Sequence, residues 1–390
     1  MVPESVIAGS LALFFYTYFG YPAVLWMIGR VRRGADAPPE DLEWPFVSVS
    51  VPAYNEEAQI EELIRSLLRL DYPRDRLQLL IISDGSTDRT DEIVESYARE
   101  GVELLRLDER GGKTKAENAA AAHLRGEIVV NTDASIRIDP QGFKSLIAAF
   151  HDPEVGCASG RDVSVGSDGD TANEGESGYV GYEMKVRELE TRVAGIVGAS
   201  GCYYAIRPQL HRLPLPDSLS RDFAAALHTR EHGFRPVSVS GAVCYVPRGR
   251  SLRREYSRKV RTITRGMQTL WYKRALLNPL RYRAFAWMLF SHKVCRWALP
   301  WAAAAATVAL GAMAPASPAA AALLVVGLVV LVLAAIGWWR ADEEALPKLF
   351  SVPAYLVAGN IAAMHALLRA IGGVRDALWE PTRRSVVKAR

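Results

Sequence analysis

Between residues 50 and 135, four short segments each place polar or charged side chains directly after an apolar run. They are Pro52-Ala53-Tyr54-Asn55-Glu56, Ser83-Asp84-Gly85-Ser86-Thr87-Asp88, Gly111-Gly112-Lys113 and Asn131-Thr132-Asp133-Ala134-Ser135. Such a set suits a nucleotide that carries a diphosphate and a sugar. Tyr54 can flank a base, and Asp84 can accept from a uracil-type imide. Asp133 is a hard oxygen ligand for Mg²⁺ or Mn²⁺, a cation that would bridge two phosphates. Lys113 follows two glycines, so its ammonium can approach a phosphate without steric obstruction. Taken singly, each segment has a plainer reading: Asp-Gly-Ser-Thr-Asp is also a good turn and helix cap. Four in succession favour a site.

Sugar transfer also needs a base for the acceptor hydroxyl. Asp222, in Leu219-Ser220-Arg221-Asp222-Phe223, opens an apolar helical stretch and is the candidate; the bland alternative is an acid favoured by the helix dipole. Gly198, Ala199, Ser200 and Gly201 precede it, and their small side chains would let an acceptor approach the backbone. Histidines such as His228 and His232 read as structural. No G-x-G-x-x-G or P-loop follows a strand, which argues against dinucleotide dehydrogenases and P-loop NTPases.

The elements that must position these residues follow from the hydrophobic period. Strands are predicted at 46–51, 77–83, 102–107 and 127–132, with helices at 56–70, 87–99 and 113–124 between them. This βαβα rhythm predicts a mostly parallel sheet covered by helices on both faces, whose ligands bind beyond the carboxyl ends of the strands. Net charge is only +4, but the acids are segregated into the middle of the chain while both ends are apolar. The run 6–29 is long enough to span a bilayer and opens with an acid, not with the basic residues of a removable leader. Arg30, Arg32 and Arg33 place its end in the cytosol. Further spans are expected at 297–314 and 319–339. The stretch 349–372 contains Pro353, Asn360, His365 and Arg369 and is expected to be interfacial or re-entrant, the other reading being a further span. Four scattered cysteines (Cys157, Cys202, Cys244, Cys295) have no metal-ligand spacing and are expected to be reduced.

Residues 248–296 hold fourteen Lys and Arg against one acid, Glu255, with Trp271, Tyr272, Tyr282, Phe285 and Trp287 interleaved. Nucleic acid is one partner for such a run. Its position beside membrane spans favours amphipathic helices on an anionic leaflet, so nucleic acid is not expected as a partner. Arg258 and Arg261 are alternatively in reach of a donor pyrophosphate.

The residues quoted resemble the membrane-integrated family 2 glycosyltransferases, the group of bacterial cellulose, hyaluronan and poly-N-acetylglucosamine synthases. Pro52-x-Tyr54-Asn55-Glu56, Asp84-Gly85-Ser86 and Gly112-Lys113-x-x-Ala116-x-Asn118 are similar to that family's donor-binding signatures in order and spacing. The resemblance implies a GT-A α/β domain (45–247) between an N-terminal transmembrane helix (1–30) and C-terminal elements. Those are interfacial helices (248–296), a transmembrane hairpin (297–339), the 349–372 element and a cytosolic tail (373–390). It implies an inverting enzyme in the bacterial cytoplasmic membrane, with a UDP-sugar donor and Mg²⁺ or Mn²⁺. Pro52, Tyr54, Glu56, Asp84, Lys113, Asp133, Arg258 and Arg261 would bind the donor, and Asp222 would be the base. Asp133-Ala134-Ser135 stands in place of an Asp-x-Asp metal motif, with Ser135 for the second acid. Arg221 replaces the acid normally before the base, and Thr262 replaces a Trp of the acceptor-gating loop. Trp379-Glu380-Pro381-Thr382-Arg383 resembles a cytosolic Trp-Gly-Thr-Arg element. The acceptor is a growing polysaccharide or a membrane lipid, the latter receiving a single sugar. A polymer channel would need a second copy or an export partner. A non-catalytic nucleotide-sugar-binding membrane protein is the rival from another class.

Overall fold

Residues 2–31, 43–165, 174–247, 251–341, 346–374 and 378 are described by the computed structural model of the chain. Trp379-Glu380-Pro381-Thr382-Arg383 and most of the tail lie outside them, as do residues 32–42. The chain divides into two compact units. One comprises Met1–Val31, Thr171–Gly175 and Arg250–Val374; the other comprises Arg32–Asp170, Glu176–Gly249 and Arg375–Arg390. The first unit opens with α1 (Val2–Phe15) and α2 (Tyr21–Val31), joined by one π turn.

The second unit is built on β1 (Val47–Ala53), whose Val-Ser-Val-Ser-Val alternation alone would suggest one wet face. Every residue is buried instead, as expected for a strand flanked by parallel neighbours and covered on both sides. Ser48 is accommodated because it is hydrogen-bonded. Ser48 Oγ donates to Gln78 (2.6 Å) and accepts from the Arg125 and Gly126 amides. Then follow α3 (Ile60–Leu68), β2 (Leu77–Ser83), α4 (Thr90–Ser96), β3 (Val102–Arg106), α5 (Lys113–Ala120), β4 (Ile128–Thr132), β5 (Arg137–Ile138) and α6 (Gly142–Ala148). After them come β6 (Val155–Val165), α7 (Glu174–Val193), β7 (Tyr203–Ile206), α8 (Pro208–His211), α9 (Arg221–Glu231) and β8 (Arg235–Pro247).

The sheet order is β3-β2-β1-β4-β7-β6-β8-β5. The half from β3 to β4 is parallel, as the βα rhythm predicts. Beyond β4 the sheet is mixed: β7 runs antiparallel to both neighbours and β5 antiparallel to β8, while β6 and β8 are parallel. One face packs on α3 and α6 through Leu63, Ile64, Leu67, Phe143 and Leu146, each such large side chain contributing about 1.5–3 kcal/mol by burial. The other face carries α5 and α9, whose Ala116, Ala120, Ala225 and Ala226 meet Ile82, Val129 and Tyr204. Alanines let both helices lie close to the sheet, and their N-termini open at the sites of Lys113 and Asp222. All four cysteines are free.

In the helical unit, α10 (Leu252–Tyr272) buries Val260, Thr264, Met267 and Leu270 along one side. Next, α11 (Pro279–Leu289) continues through a π turn into α12 (Arg296–Met313), so residues 279–296, expected to be interfacial, are continuous with a helix of 35 residues that is long and apolar enough to cross a membrane. The hairpin partner is α13 (Pro318–Trp339). Finally, α14 (Lys348–Ile371) is one unbroken helix of 24 residues in the stretch for which an interfacial or re-entrant element or a further span was expected. Four helices are long and apolar enough to cross a membrane: Val2–Arg30, Pro279–Met313, Pro318–Trp339 and Lys348–Ile371. Polar residues of the fourth find partners within the unit. Pro353 falls in the second turn, and Asn360 donates to the Leu356 carbonyl (2.8 Å). His365 Nδ1 lies 3.1 Å from the Tyr256 hydroxyl, while Thr264 Oγ1 donates to the Ala366 carbonyl (3.4 Å). Ala354, Ala358, Ala362 and Ala366 form a buried stripe at helical spacing.

Between α13 and α14 the backbones meet at Gly337, where an added Cβ would lie 2.4 Å from the Phe350 carbonyl. Gly337→Leu is therefore expected to destabilise the unit by about 1–3 kcal/mol. Gly327→Leu, where a Cβ meets nothing within 4 Å, should be silent. Melting curves of the detergent-purified variants check the contrast.

Candidate functional site

Asp84 follows β2, and Gly85 after it has φ +69°, where a Cβ would press to 2.9 Å on the Arg110 amide. The Asp84 carboxylate is buried and accepts from two backbone amides, Gly111 (2.8 Å) and Gly112 (2.7 Å). Gly112 takes φ +90° as the residue before α5. A carboxylate on the amides that open a helix is satisfied by hydrogen bonding and by the helix dipole together. Asp84 thus ties the end of β2 to the start of α5, and so sets where Lys113 begins.

From that first helical position Lys113 extends its ammonium to Asp133 Oδ1 (2.5 Å) and to the Gly201 carbonyl (2.9 Å). Burial alone would lower the lysine pKa. The carboxylates of Asp133, Glu117 and Asp222 outweigh it and hold the ammonium above the ordinary lysine range. Asp133 is anchored through its own amide, which donates to the Cys202 carbonyl (3.1 Å). The Lys113 and Asp133 side chains are each about one-fifth exposed (20% and 22%), which leaves both accessible to a ligand. Asp222 sits in the first turn of α9 and accepts from the Ser220 hydroxyl (2.5 Å). It lies against Gly201, where a Cβ would stand 3.0 Å from Asp222 Oδ2. Lys113, Asp133, Gly201 and Asp222 therefore meet in one place at the carboxyl edge of the parallel half-sheet.

Other predicted residues fall around them. Tyr54 lies at the same edge with the Arg110 guanidinium over its ring at 3.9 Å. Pro52 is inside β1, paired with Ile82. Glu56 is buried beneath the edge, bonded by Gln59, with its amide donating to Thr90 (2.8 Å). Of the expected acceptor segment, only Gly201 is partly exposed; Gly198, Ala199 and Ser200 are buried. Ser200 is turned inward, its hydroxyl donating to Asp162 (2.6 Å) and its amide to Ser159 (2.8 Å). The small residues there serve close packing, because the loop passes beneath the site. Ser135 is buried. Arg258 and Arg261 lie on α10 of the helical unit, where Glu255 engages Arg258 at 2.6 and 2.8 Å.

The contacts that hold these groups in place were only partly legible in the sequence. Thr114 donates to the Leu219 carbonyl (2.9 Å). Asn118 donates to the Leu215 carbonyl (3.0 Å) and Asp217 (2.9 Å), and accepts from Arg221 (2.5 Å). One face of α5 thus grips the loop that delivers Asp222. Glu117, not singled out from the sequence, is buried beside Lys113 and Arg221. Its burial, with Asp133 and Asp222 adding, raises its carboxyl above the usual range against the pull of Lys113 and Arg221. The i,i+4 relation of Lys113 and Glu117 was the available signal. His211 is buried, its Nε2 3.2 Å from Asn131 Oδ1, and burial with Arg221 and Arg212 nearby lowers its pKa. At the other end of α9 the ligand atoms of His228, Glu231 and His232 lie within 4.8 Å of one another, with His232 Nδ1 already 2.9 Å from the His228 carbonyl.

Asp133 suits a divalent cation by the chemistry of its donor set. It offers a partly exposed hard carboxylate beside the Lys113 ammonium, a donor that would suit a cation completing its shell with phosphates and water.

The family model "Glycosyl transferase family 2" matches residues 48–207. A beta-monoglucosyldiacylglycerol synthase of a Nostoc species is 29% identical over 169 residues, which are 42% of this chain and 36% of the relative. The poly(ribitol-phosphate) beta-N-acetylglucosaminyltransferase TarS of Staphylococcus aureus is 36% identical over 107 residues, 27% of this chain and 18% of that one. The chain thus spans about a third or less of the length of these curated relatives. Among solved structures, the mannosyltransferase PcManGT of Pyrobaculum calidifontis, in complex with GDP-Man and Mn²⁺, superposes with a TM-score of 0.72 at 25% identity. That match covers 94% of this chain and 99% of the other.

Because Asp84 satisfies two amides at once, Asp84→Ala is expected to cost about 2–3 kcal/mol. Thermal or denaturant unfolding of the variant checks it; an unchanged midpoint would show that the loop is held by other contacts.

Proposed function

The chain carries a family 2 glycosyltransferase domain of the GT-A fold, and we propose that it moves a sugar, with inversion, from a nucleoside-diphosphate sugar to a lipid acceptor at the cytosolic face of a bacterial cytoplasmic membrane. The observation that carries this reading is the meeting of Lys113, Asp133 and Asp222 around Gly201. It supplies a cation for a departing diphosphate and a carboxylate for an incoming hydroxyl, side by side.

In the reaction, Asp222 takes the proton of the acceptor hydroxyl as its oxygen attacks the anomeric carbon. The bond from that carbon to the diphosphate oxygen breaks on the opposite face, and the Lys113 ammonium takes up the charge that develops there. A Mg²⁺ or Mn²⁺ ion held by Asp133 would supply further neutralisation of the two phosphates. Tyr54 and Asp84 border the place for the base, Pro52 and Glu56 shape that edge from below, and Arg258 and Arg261 are assigned to the pyrophosphate through the family resemblance. A UDP-sugar is the donor in this reading. A GDP-sugar is the second, favoured by the GDP-Man complex of the structure that matches nearly the whole chain.

The lipid acceptor is supported by four helices apolar enough to cross a membrane and by the Nostoc relative's named activity. A growing polymer is the second reading, favoured by the similarity to TarS; it would call for a second copy or an export partner.

Asp222→Asn is expected to lower turnover by about 10²–10⁴-fold while binding of the nucleoside diphosphate persists; normal turnover would remove the base assignment. Asp133→Ala should abolish metal-dependent nucleotide binding, read by titration calorimetry with and without Mn²⁺. A nucleotide-release screen of UDP- and GDP-sugars with the purified protein, followed by sizing of the radiolabelled product, separates the donors and the acceptors. No release with any donor would overturn the reading.

A further inference from the structure

Arg221 occupies an unusual place for a cation. It is the first residue of α9, where the helix dipole disfavours positive charge, and its side chain is only 8% exposed. Its guanidinium bonds neutral acceptors, the Asn118 side chain and the His211 carbonyl, with His211 Nδ1 at 3.5 Å. Among the described residues its single acidic partner is Glu117, whose Oε2 lies 3.9 Å from Arg221 Nε. Glu117 in turn is fully buried, and neither of its oxygens has a hydrogen-bond partner among the described residues. Both residues immediately adjoin the machinery: Glu117 is one helical turn from Lys113 on α5, and Arg221 directly precedes Asp222.

We infer that Glu117 and Arg221 form a positioning pair, a buried counter-charge between α5 and α9 that holds Asp222 in register with Lys113. The assignment rests on the transfer reading for its consequence in turnover, although the pairing itself does not. A buried cation at a helix start needs a carboxylate within a few ångströms, and none stands at the preceding residue, where Ser220 is found. At position 221, where the family resemblance leads one to expect an acid, this chain has a cation, and its acidic partner stands on the neighbouring helix at Glu117. The consequence is mechanical. The loop before Asp222 is tied to α5 by hydrogen bonds of Thr114 and Asn118, one of them to the Asp217 carboxylate, and the ion pair adds a tie between opposite charges. Neither member touches the place of the reacting atoms, so their effect passes through Asp222 and Lys113.

The test separates the pairing from its use. Thermal unfolding of Glu117→Leu, Arg221→Met and the double variant forms a cycle that requires no activity. Glu117→Leu is expected to lower the melting temperature by roughly 5–10 °C, because it strands a buried cation. The double variant should recover most of that loss, because no buried charge is left uncompensated. Additive losses in the cycle would overturn the pair. For positioning, the shape-conserving Glu117→Gln is expected to lower kcat by roughly 10- to 100-fold with the donor KM unchanged. A silent Glu117→Gln, or an effect confined to KM, would overturn the positioning role. Failure of the transfer reading would appear differently, as absence of turnover in the unaltered protein while the stability cycle still shows coupling.

Discussion

The Lys113 ammonium is the group around which the catalytic unit is arranged. A partly buried cation is costly unless carboxylates and carbonyls surround it, and here they come from elements far apart in the chain. Asp133 comes from the end of β4 and the Gly201 carbonyl from the loop before β7, while Glu117 and Asp222 add charge from α5 and α9. The same cation that keeps the site together is the one that a diphosphate would address. Its partners are only partly shielded, so a bound ligand can take over contacts that the unliganded protein makes internally.

Placing that ammonium requires an accurately set helix start, and two glycines with a carboxylate provide it. Asp84 receives the Gly111 and Gly112 amides, and Gly112 adopts a backbone conformation that a larger residue would reach only with strain. Beyond its first residue α5 becomes a clamp. Thr114, Asn118 and Glu117 all address the 215–221 loop or its arginine. Lys113 and Asp222 are thus both referenced to a helix of eight residues, which itself packs on the sheet through two alanines.

The helical unit solves a different problem. In a bilayer the polar groups of Asn360, His365 and Pro353's unpaired turn would be expensive on a lipid-facing helix. Here Asn360 bonds its own helix, while Tyr256 and Thr264 on α10 meet His365 and Ala366 on α14. The amphipathic basic helix α10 thereby buries its apolar side on protein, a role its composition shares with a membrane-surface helix. Hydropathy counts residues without knowing their neighbours, so it does not register that these polar groups find partners within the unit.

The strand-and-helix rhythm and the strand-end motifs were legible in the sequence, because period and turn chemistry are local properties. So were the candidates Asp84, Lys113, Asp133 and Asp222, since acids and a lysine following apolar runs stand out wherever the chain goes. What the sequence could not decide was partnership. That Asp84 holds backbone amides, that Lys113 rests on Asp133, that Ser200 turns inward to Asp162, and that Arg221 finds its acid at Glu117 are facts about residues 20 to more than 100 positions apart. The antiparallel insertion of β7 between β4 and β6 is of the same kind. Pairing across such separations is set by packing of the whole sheet with its covering helices, and no local pattern records it.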